Sequence, residues 1–245
     1  MGRGPNIENR KNAEDARRAK LFTKLIREIT VAARGGADPA GNARLRLAVD
    51  KALSGNMTKD TIERAIQRGS GAAGGAHLEE VRYEGYGPGG VAILVDCMTD
   101  NRTRTVGEIR HAFSRNGGNL GADGSVAYLF HKTGVIGYDT GADAALAEKI
   151  LEAALDASAE DVVTADGKTE VLTQPDAFEA VRKALEGAGL KPARAGITFR
   201  PSTLVPVAGT QAETVLKLLE VLDELDDVQD VHTNAQLPPG LRTAA

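Results

Sequence analysis

The stretch DVVTADGKTEVLT, residues 161–173, decides the fold of the region around it. Two short runs rich in Val and Thr are separated by Asp166-Gly167, a residue pair typical of the tight turn in a β-hairpin. We therefore predict two antiparallel strands, over residues 161–165 and 168–173.

Amphipathic stretches flank this hairpin on both sides. The hydrophobic spacing predicts helices over residues 144–157 and 175–188, and strands over residues 135–138 and 195–200 beyond them. The resulting order, βαββαβ, is the split-βαβ or ferredoxin-like unit.

The segments on either side of this unit predict a second, discontinuous unit. Its expected elements are strands over 81–86, 91–98 and 125–130, a helix over 105–115, then a strand over 202–207, a helix over 211–225 and a strand over 228–237. Thr105-Val106-Gly107-Glu108 fits a capping box that would begin the first of these helices. The expected class is α+β, with one α/β unit inserted in the other and helices on one face of each antiparallel sheet.

The first part of the chain predicts a three-helix bundle. Between residues 12 and 34, Phe22, Leu25, Ile26, Ile29 and Ala33 recur every three or four positions and would form a buried face. Helices around residues 45–53 and 58–69 follow, and the glycine-rich run 69–76 reads as a flexible connection. These patterns predict domains at 1–75, at 76–134 together with 202–240, and at 135–201.

Charge divides the 245-residue chain unequally. Residues 1–75 contain 15 Lys and Arg against 8 Asp and Glu, whereas residues 76–245 contain 15 against 26. A basic segment joined to an acidic remainder indicates a polyanionic partner for one part only, and nucleic acid is the leading candidate. With no run of 18 apolar residues, we expect a soluble, cytoplasmic protein with no membrane partner.

The predicted nucleic-acid site is the basic surface of these helices. On a helical wheel Arg17, Lys20, Lys24 and Arg27 lie opposite the apolar stripe and would face solvent as a ridge. A charged helix face is often only solvated surface, but here several helices share one sign. The full predicted set of phosphate-contacting residues is Arg3, Arg10, Lys11, Arg17, Arg18, Lys20, Lys24, Arg27, Arg34, Arg64 and Arg68.

Two weaker signals remain open in the acidic part. The glycine-rich stretch 116–124 is a connecting loop or a phosphate-binding edge, and Arg102-Thr103-Arg104 is a solvated segment or one more phosphate contact. The acidic residues near the C-terminal end would keep a duplex away and leave a face for a protein partner or for solubility. They are Glu220, Asp223, Glu224, Asp226, Asp227 and Asp230.

Signals for catalysis and cofactors are few. The motif GxGxxG over 85–90 precedes a predicted strand rather than a helix, so a connection between strands is favoured over a dinucleotide loop. Cys97 lies in an apolar strand and is expected to be an inert buried thiol, and His111 is expected at the surface. We predict no enzymatic activity, no cofactor and no metal site.

Several strings resemble the YebC/PmpR family over essentially the whole chain. They are KLFTKLIREITVAAR (20–34), DKAL (50–53), DTIERAI (60–66), YEGYGPGGV (83–91), TDNR (99–102), RHAFS (110–114), NGGNLG (116–121) and GSVAY (124–128). The resemblance implies a helical bundle followed by two α/β domains, with neither catalysis nor a cofactor. Here the leader GRGPNIENRK replaces the Gly-His-Ser-Lys-Trp type found in many members.

The resemblance also implies a function in gene expression. Members are described as DNA-binding transcriptional regulators, and relatives in bacteria and mitochondria act as translation factors at the ribosome, including on proline-rich stalls. We therefore expect a non-enzymatic nucleic-acid-binding regulator. The alternative is a ribosome-associated factor that binds rRNA or tRNA and relieves stalling, and the sequence alone does not choose between DNA and RNA.

Overall fold

A computed structural model describes residues 5–71, 77–238 and 240–241 of the chain, with side chains from residue 14 onward. Within these residues, an all-helical start is followed by a mixture of strands and helices. In order they are α1 (Pro5–Ala32), α2 (Ala43–Ser54), α3 (Lys59–Gly69), β1 (Glu79–Tyr86), β2 (Ala92–Thr99), α4 (Arg102–Arg115), β3 (Asn119–Leu120), β4 (Phe130–Asp139), α5 (Ala144–Asp156), β5 (Asp161–Ala165), β6 (Lys168–Thr173), α6 (Phe178–Gly187), β7 (Arg194–Pro201), β8 (Val205–Pro206), α7 (Gly209–Glu224), β9 (Val228–Thr233) and β10 (Ala235–Gln236).

Helices α1 to α3 form the predicted three-helix bundle around one apolar cluster. Ile29, Leu45, Ala52 and Ala65 are fully buried in it. Gly69 allows α3 to approach α1, because a Cβ at this position would lie 2.1 Å from the Thr30 carbonyl oxygen. Helix α1 begins earlier than its apolar pattern predicted, at Pro5 rather than near residue 12.

The second sheet confirms the split-βαβ prediction. Its strand order is β5-β6-β4-β7 with every pair antiparallel, and α5 and α6 cover it. The hairpin turn is as predicted, because Asp166 and Gly167 both have positive φ, 51° and 72°. The predicted boundary between residues 134 and 135 falls inside β4.

The first sheet has the order β3-β1-β2-β9. Strand β1 lies between the two ends of the β2–α4–β3 segment, and β9 returns after the second sheet to pair with β2. The arrangement is that of the second sheet, except that the strand in the position of β6 comes first in the chain, as β1, instead of third. The structure is thus an α+β chain in which one sheet unit interrupts the other, as predicted.

Three predicted elements differ in the structure. Residues 125–130 contain no separate strand, because residues 127–129 form a short 3-10 turn that leads into β4. The predicted strand 202–207 is reduced to β8, which pairs with β10. The predicted strand 228–237 breaks at Asn234, whose side chain accepts a hydrogen bond from the Ala92 backbone N–H at 2.7 Å instead of continuing the ladder.

The predicted start of α4 at Thr105 is also wrong. The helix begins one turn earlier, where the Asn101 side chain caps it by accepting from the Arg104 backbone N–H at 3.0 Å. Thr105 cannot act as the cap, because its hydroxyl lies inside the helix and contacts the Asp227 carboxylate at 2.8 Å. The local capping pattern therefore pointed to a residue with a tertiary role.

Apolar residues cover both faces of the first sheet. Ile93 and Val95 pack under α4 and α7, while Ala92 and Leu94 pack against Val126 and the start of β4. Strand β2 is consequently an almost continuous apolar run. This double burial leaves the exposed polar groups at the helices and loops around the sheet.

Candidate nucleic-acid interface

Helix α1 extends past the bundle that it helps to form. It contains 28 residues, which corresponds to a length of about 42 Å. Its buried stripe starts at Phe22, and all residues from 14 to 19 are exposed. We call residues 14–19 the arm; among its members, Arg17 and Arg18 present their guanidinium groups to solvent.

The predicted ridge does not face solvent along its whole length. Lys24 Nζ lies 2.7 Å from Asp223 Oδ1, and Arg27 Nη1 lies 3.2 Å from Asp227 Oδ1. The side chains of Lys24 and Arg27 are only 16% and 20% exposed. The prediction that these two residues are free cations is therefore wrong, because the acidic corner formed by Asp223 and Asp227 at the end of α7 neutralises them.

Arg27 also binds backbone oxygens at this corner. It donates hydrogen bonds to the carbonyl of Met98, at 3.2 Å, and to the carbonyl of Asp226. Lys20 lies nearby and is half-buried: burial lowers the pKa of its ammonium group, and the opposing effect of Asp223 does not offset this. The second half of α1 thus docks onto the rest of the molecule.

Asp227 is the centre of this docking site. It is 1% exposed and accepts hydrogen bonds from Arg104 at 2.7 Å, Thr105 at 2.8 Å and Thr99 at 3.0 Å. Burial opposes ionisation most strongly, but the hydrogen bonds from Arg104, Thr105 and Thr99 together outweigh it and lower the pKa of Asp227. The prediction that Asp227 belongs to a solvated acidic face is wrong.

Part of the predicted protein-binding face is therefore covered by the chain itself. Asp223 and Asp227 contact α1, whereas Glu220 and Glu224 remain exposed on α7. No local pattern marks Asp227 as buried, since its hydrogen-bond partners lie 122 to 128 residues away in sequence.

The other predicted cations have different environments. Arg18 stacks over the ring of Phe22 at 5.3 Å, and Arg64 forms an ion pair with Asp60 one turn away. Arg34 and Arg68 are exposed and flank the contact between α3 and the end of α1. Arg3 lies outside the described residues, as do the side chains of Arg10 and Lys11 on the helical backbone of α1.

Exposed arginines that form no ion pair with a described residue remain on the bundle. Among the described residues, no carboxylate lies within ion-pair distance of Arg17, Arg18, Arg34 or Arg68. Arg44 differs, because its guanidinium group contacts both Glu28, at 3.2 Å, and Glu80, at 2.5 Å. The free arginines are therefore at the arm and at the α1–α3 contact.

The glycine-rich loop 116–124 is held by a buried carboxylate. Glu84 accepts hydrogen bonds from the backbone N–H groups of Gly124, Val126 and Ala127, each at 2.7 Å. Burial disfavours its charged form, but these hydrogen bonds outweigh burial and lower the pKa of Glu84. Gly124 is the one of these three residues that lies within 116–124, and its N–H is not available to a phosphate because the protein's own carboxylate occupies the position of an anion.

The Arg102-Thr103-Arg104 segment is largely engaged within the protein. Arg104 contacts Asp100 at 2.8 Å in addition to Asp227, and Arg102 lies 3.7 Å from Glu79. The phosphate contact considered for this segment would have to compete with these carboxylates.

A groove of about 910 Å³ lies between α2 and the two sheets. Phe178, Ile197 and Phe199 form apolar parts of its wall. Five cationic and six acidic residues line it. Among them, Arg82 and Asp96 form an ion pair, with 2.6 Å between Nε and Oδ1. This balance gives the groove no excess positive charge for a phosphate backbone.

The candidate catalytic residues are placed as predicted. Cys97 is 2% exposed, and burial raises the pKa of its thiol to about 12. His111 is exposed on α4, and the GxGxxG stretch leads into β2 rather than into a helix. In the described part of the chain, no group of three His, Cys, Asp or Glu could hold a metal ion, and no helix is long and apolar enough to cross a membrane.

Family models match nearly all of the chain. The model for the TACO1/YebC protein N-terminal domain matches residues 3–72, and the model for the TACO1/YebC second and third domain matches residues 78–235. The chain belongs to the TACO1/YebC family. Its bundle and both of its sheets thus correspond to the domains of that family.

Relatives of this TACO1/YebC chain are similar over nearly their full length. A protein of Methylococcus capsulatus is 63% identical over 95% of this chain and 93% of its own, and one of Xanthomonas oryzae pv. oryzae is 58% identical over 96% and 97%. Both are named as probable transcriptional regulatory proteins. The crystal structure of a conserved hypothetical protein from Aquifex aeolicus is also similar, with 45% identity, a TM-score of 0.85 and 94% of each chain covered.

Proposed function

We propose that this TACO1/YebC protein regulates transcription without catalysis by binding the phosphate backbone of duplex DNA. The proposed contacts are the free arginines of the bundle, Arg17, Arg18, Arg34 and Arg68. Lys24 and Arg27 leave the predicted set, because carboxylates of the same chain already bind them.

The arm is the observation that carries this proposal. Its arginines lie on the exposed part of α1 that extends beyond the apolar cluster of the bundle, at the basic end of an acidic chain. Exposed arginines on a preformed helix attract phosphates without regard to base sequence. The names of the relatives favour DNA in transcription as the target.

The proposal assigns a different task to each part of the chain. The domain at 1–75 supplies phosphate contacts, while the domains at 76–134 with 202–240 and at 135–201 position it and contact protein partners. The exposed carboxylates of α7 repel a duplex and so direct it toward the arm. We place this regulator in the cytoplasm, where bacterial DNA is accessible.

The test is a salt titration of binding. Wild-type protein and Arg17→Ala/Arg18→Ala are titrated onto a fluorescein-labelled duplex of about 25 bp between about 50 and 200 mM NaCl. Anisotropy should show weaker binding of the variant, with a log Kd–log salt slope lower by about two, because each lost phosphate contact removes nearly one unit. Lys149→Ala/Lys183→Ala, which removes two exposed cations from α5 and α6, is the control and should leave the slope unchanged.

A second experiment separates this function from a role on the ribosome. Ribosome profiling and total RNA sequencing of a deletion strain are compared. Altered transcript levels, with footprints of the protein on particular duplex sites, support the proposal. Ribosome pauses at defined codons with unchanged transcripts, and co-sedimentation of the protein with ribosomes, would contradict it.

A further inference from the structure

Helix α4 concentrates positive charge within the acidic part of the chain. Residues 76–245 contain 15 Lys and Arg against 26 Asp and Glu. In contrast, the sequence of α4, RTRTVGEIRHAFSR, contains four arginines and one glutamate. The helix packs on the first sheet beside α7 and turns its polar side outward.

Two of these arginines are available to a ligand. Arg102 and Arg104 face carboxylates of the chain, but Arg110 and Arg115 are exposed and form no ion pair with any residue that the structure describes. His111 is exposed beside them. Phe113, the only phenylalanine, tyrosine or tryptophan of α4, is fully buried, so the small imidazole ring of His111 is the only aromatic group that this helix exposes.

Gly107 gives the same surface a second unusual property. It lies in the middle of α4, is exposed, and a Cβ at this position would meet no atom within 4 Å. No packing in the described structure requires a glycine here, although glycine weakens a helix relative to alanine. A missing side chain does allow atoms of a ligand to approach the helix backbone closely.

The geometry also joins α4 to α1. Arg27 on α1 contacts Oδ1 of Asp227 at 3.2 Å, and Arg104 on α4 contacts Oδ2 of the same carboxylate at 2.7 Å. One buried acid therefore fixes the helix that carries the arm and the start of α4 against each other.

We propose that α4 is a second contact surface for the DNA backbone, with Arg110, His111 and Arg115 binding phosphates at a close approach made possible by Gly107. The ligand is the duplex that the arm binds, so this inference rests on the proposed function. Asp227 acts as a positioning residue that holds the two cationic helices in one arrangement. The phosphodiester chain fits because the surface offers charge and hydrogen-bond donors but no large aromatic ring on which bases could stack.

The first test uses Arg110→Ala/Arg115→Ala in the full chain and the labelled duplex described above. The log Kd–log salt slope should fall by about two, and the affinity at about 150 mM NaCl should fall at least about tenfold. Lys149→Ala/Lys183→Ala is again the matched control. Circular dichroism and thermal unfolding verify that each variant is folded.

The second test adds an uncharged side chain at Gly107, in the open space above the backbone of α4. Gly107→Gln should bind the duplex more weakly than wild type although its helix is at least as stable. Gly187→Gln is the control, because Gly187 is likewise a helical glycine whose Cβ would meet open space. Equal affinity of Gly107→Gln and wild type would contradict a close approach at this position.

The outcomes distinguish this inference from the function on which it rests. If the arm variant lowers the salt slope and the α4 variant does not, the inference is overturned and the proposed function stands. If wild-type protein shows no salt-dependent duplex binding, or binds only an RNA of the same length, both are overturned. Lower slopes in both variants, with a larger reduction when they are combined, support a single duplex on both helices.

Discussion

Both halves of α1 contain basic residues, but these residues have different environments. In the arm, Arg17 and Arg18 face solvent and lack an internal carboxylate among the described residues. One to three turns later, Lys24 and Arg27 are mostly buried against Asp223 and Asp227. The comparison shows that a basic helix face can serve two ends: one half attaches the bundle to the acidic body, and the other remains available to a polyanion.

The largest effect on stability is expected from removing the carboxylate of Asp227, which binds the second half of α1. Asp227→Ala should lower the free energy of unfolding by about 3 kcal/mol, because it leaves Arg104, Thr105 and Thr99 without their buried acceptor. Urea denaturation measures the change. Asp100→Ala removes the exposed partner of the same arginine and should cost about 0.5 kcal/mol; equal losses in the two variants would contradict the central role of Asp227.

A smaller effect should separate the two halves directly. Lys24→Ala/Arg27→Ala should lower the free energy of unfolding by about 2 kcal/mol, through loss of two ion pairs and of charge-assisted hydrogen bonds, and should leave the salt slope of DNA binding nearly unchanged. Arg17→Ala/Arg18→Ala should lower the salt slope of DNA binding and leave the free energy of unfolding nearly unchanged. A reduced slope in the first variant would show that the docked cations reach DNA after all.

The smallest effect is the dependence of stability on pH in the acidic range. The pKa of Asp227 is below its ordinary value of 3.8, so its ionisation stabilises the fold fully above about pH 4 and this contribution is lost as pH falls further. Asp227→Asn resembles the protonated acid. The difference in unfolding free energy between wild type and Asp227→Asn should therefore be present at pH 7 and shrink below about pH 4. A difference independent of pH would mean that the charge of Asp227 contributes nothing.

Local patterns account for what the sequence predicted well. The turn at Asp166-Gly167 and the strands on either side of it determine the β5–β6 hairpin of the second sheet, whose paired residues lie close in sequence. The apolar stripe from Phe22 to Ala33 likewise identified the buried face of α1. In each case the deciding interactions are short-range, so the sequence pattern contains them.

Long-range polar contacts account for what it missed. The helical wheel identified the polar side of α1 but contained no information on the acidic corner that covers half of it. No local pattern marks Glu84 or Asp227 as buried, yet each accepts hydrogen bonds from donors that lie far away along the chain. Thr105 was predicted to cap α4 for the same reason: its hydrogen bond to Asp227, 122 residues away, is not visible in the local pattern.

The chain enters and leaves the second sheet at neighbouring points. The Ser202 backbone N–H donates to the Leu129 carbonyl at 2.8 Å, so the last residue before β4 and the first after β7 are hydrogen-bonded. A gene segment encoding the intervening unit could consequently be gained, lost or exchanged during evolution with little rearrangement of the host backbone. The same two positions, Leu129 and Ser202, are therefore suitable insertion points for an engineered module whose own termini lie close together.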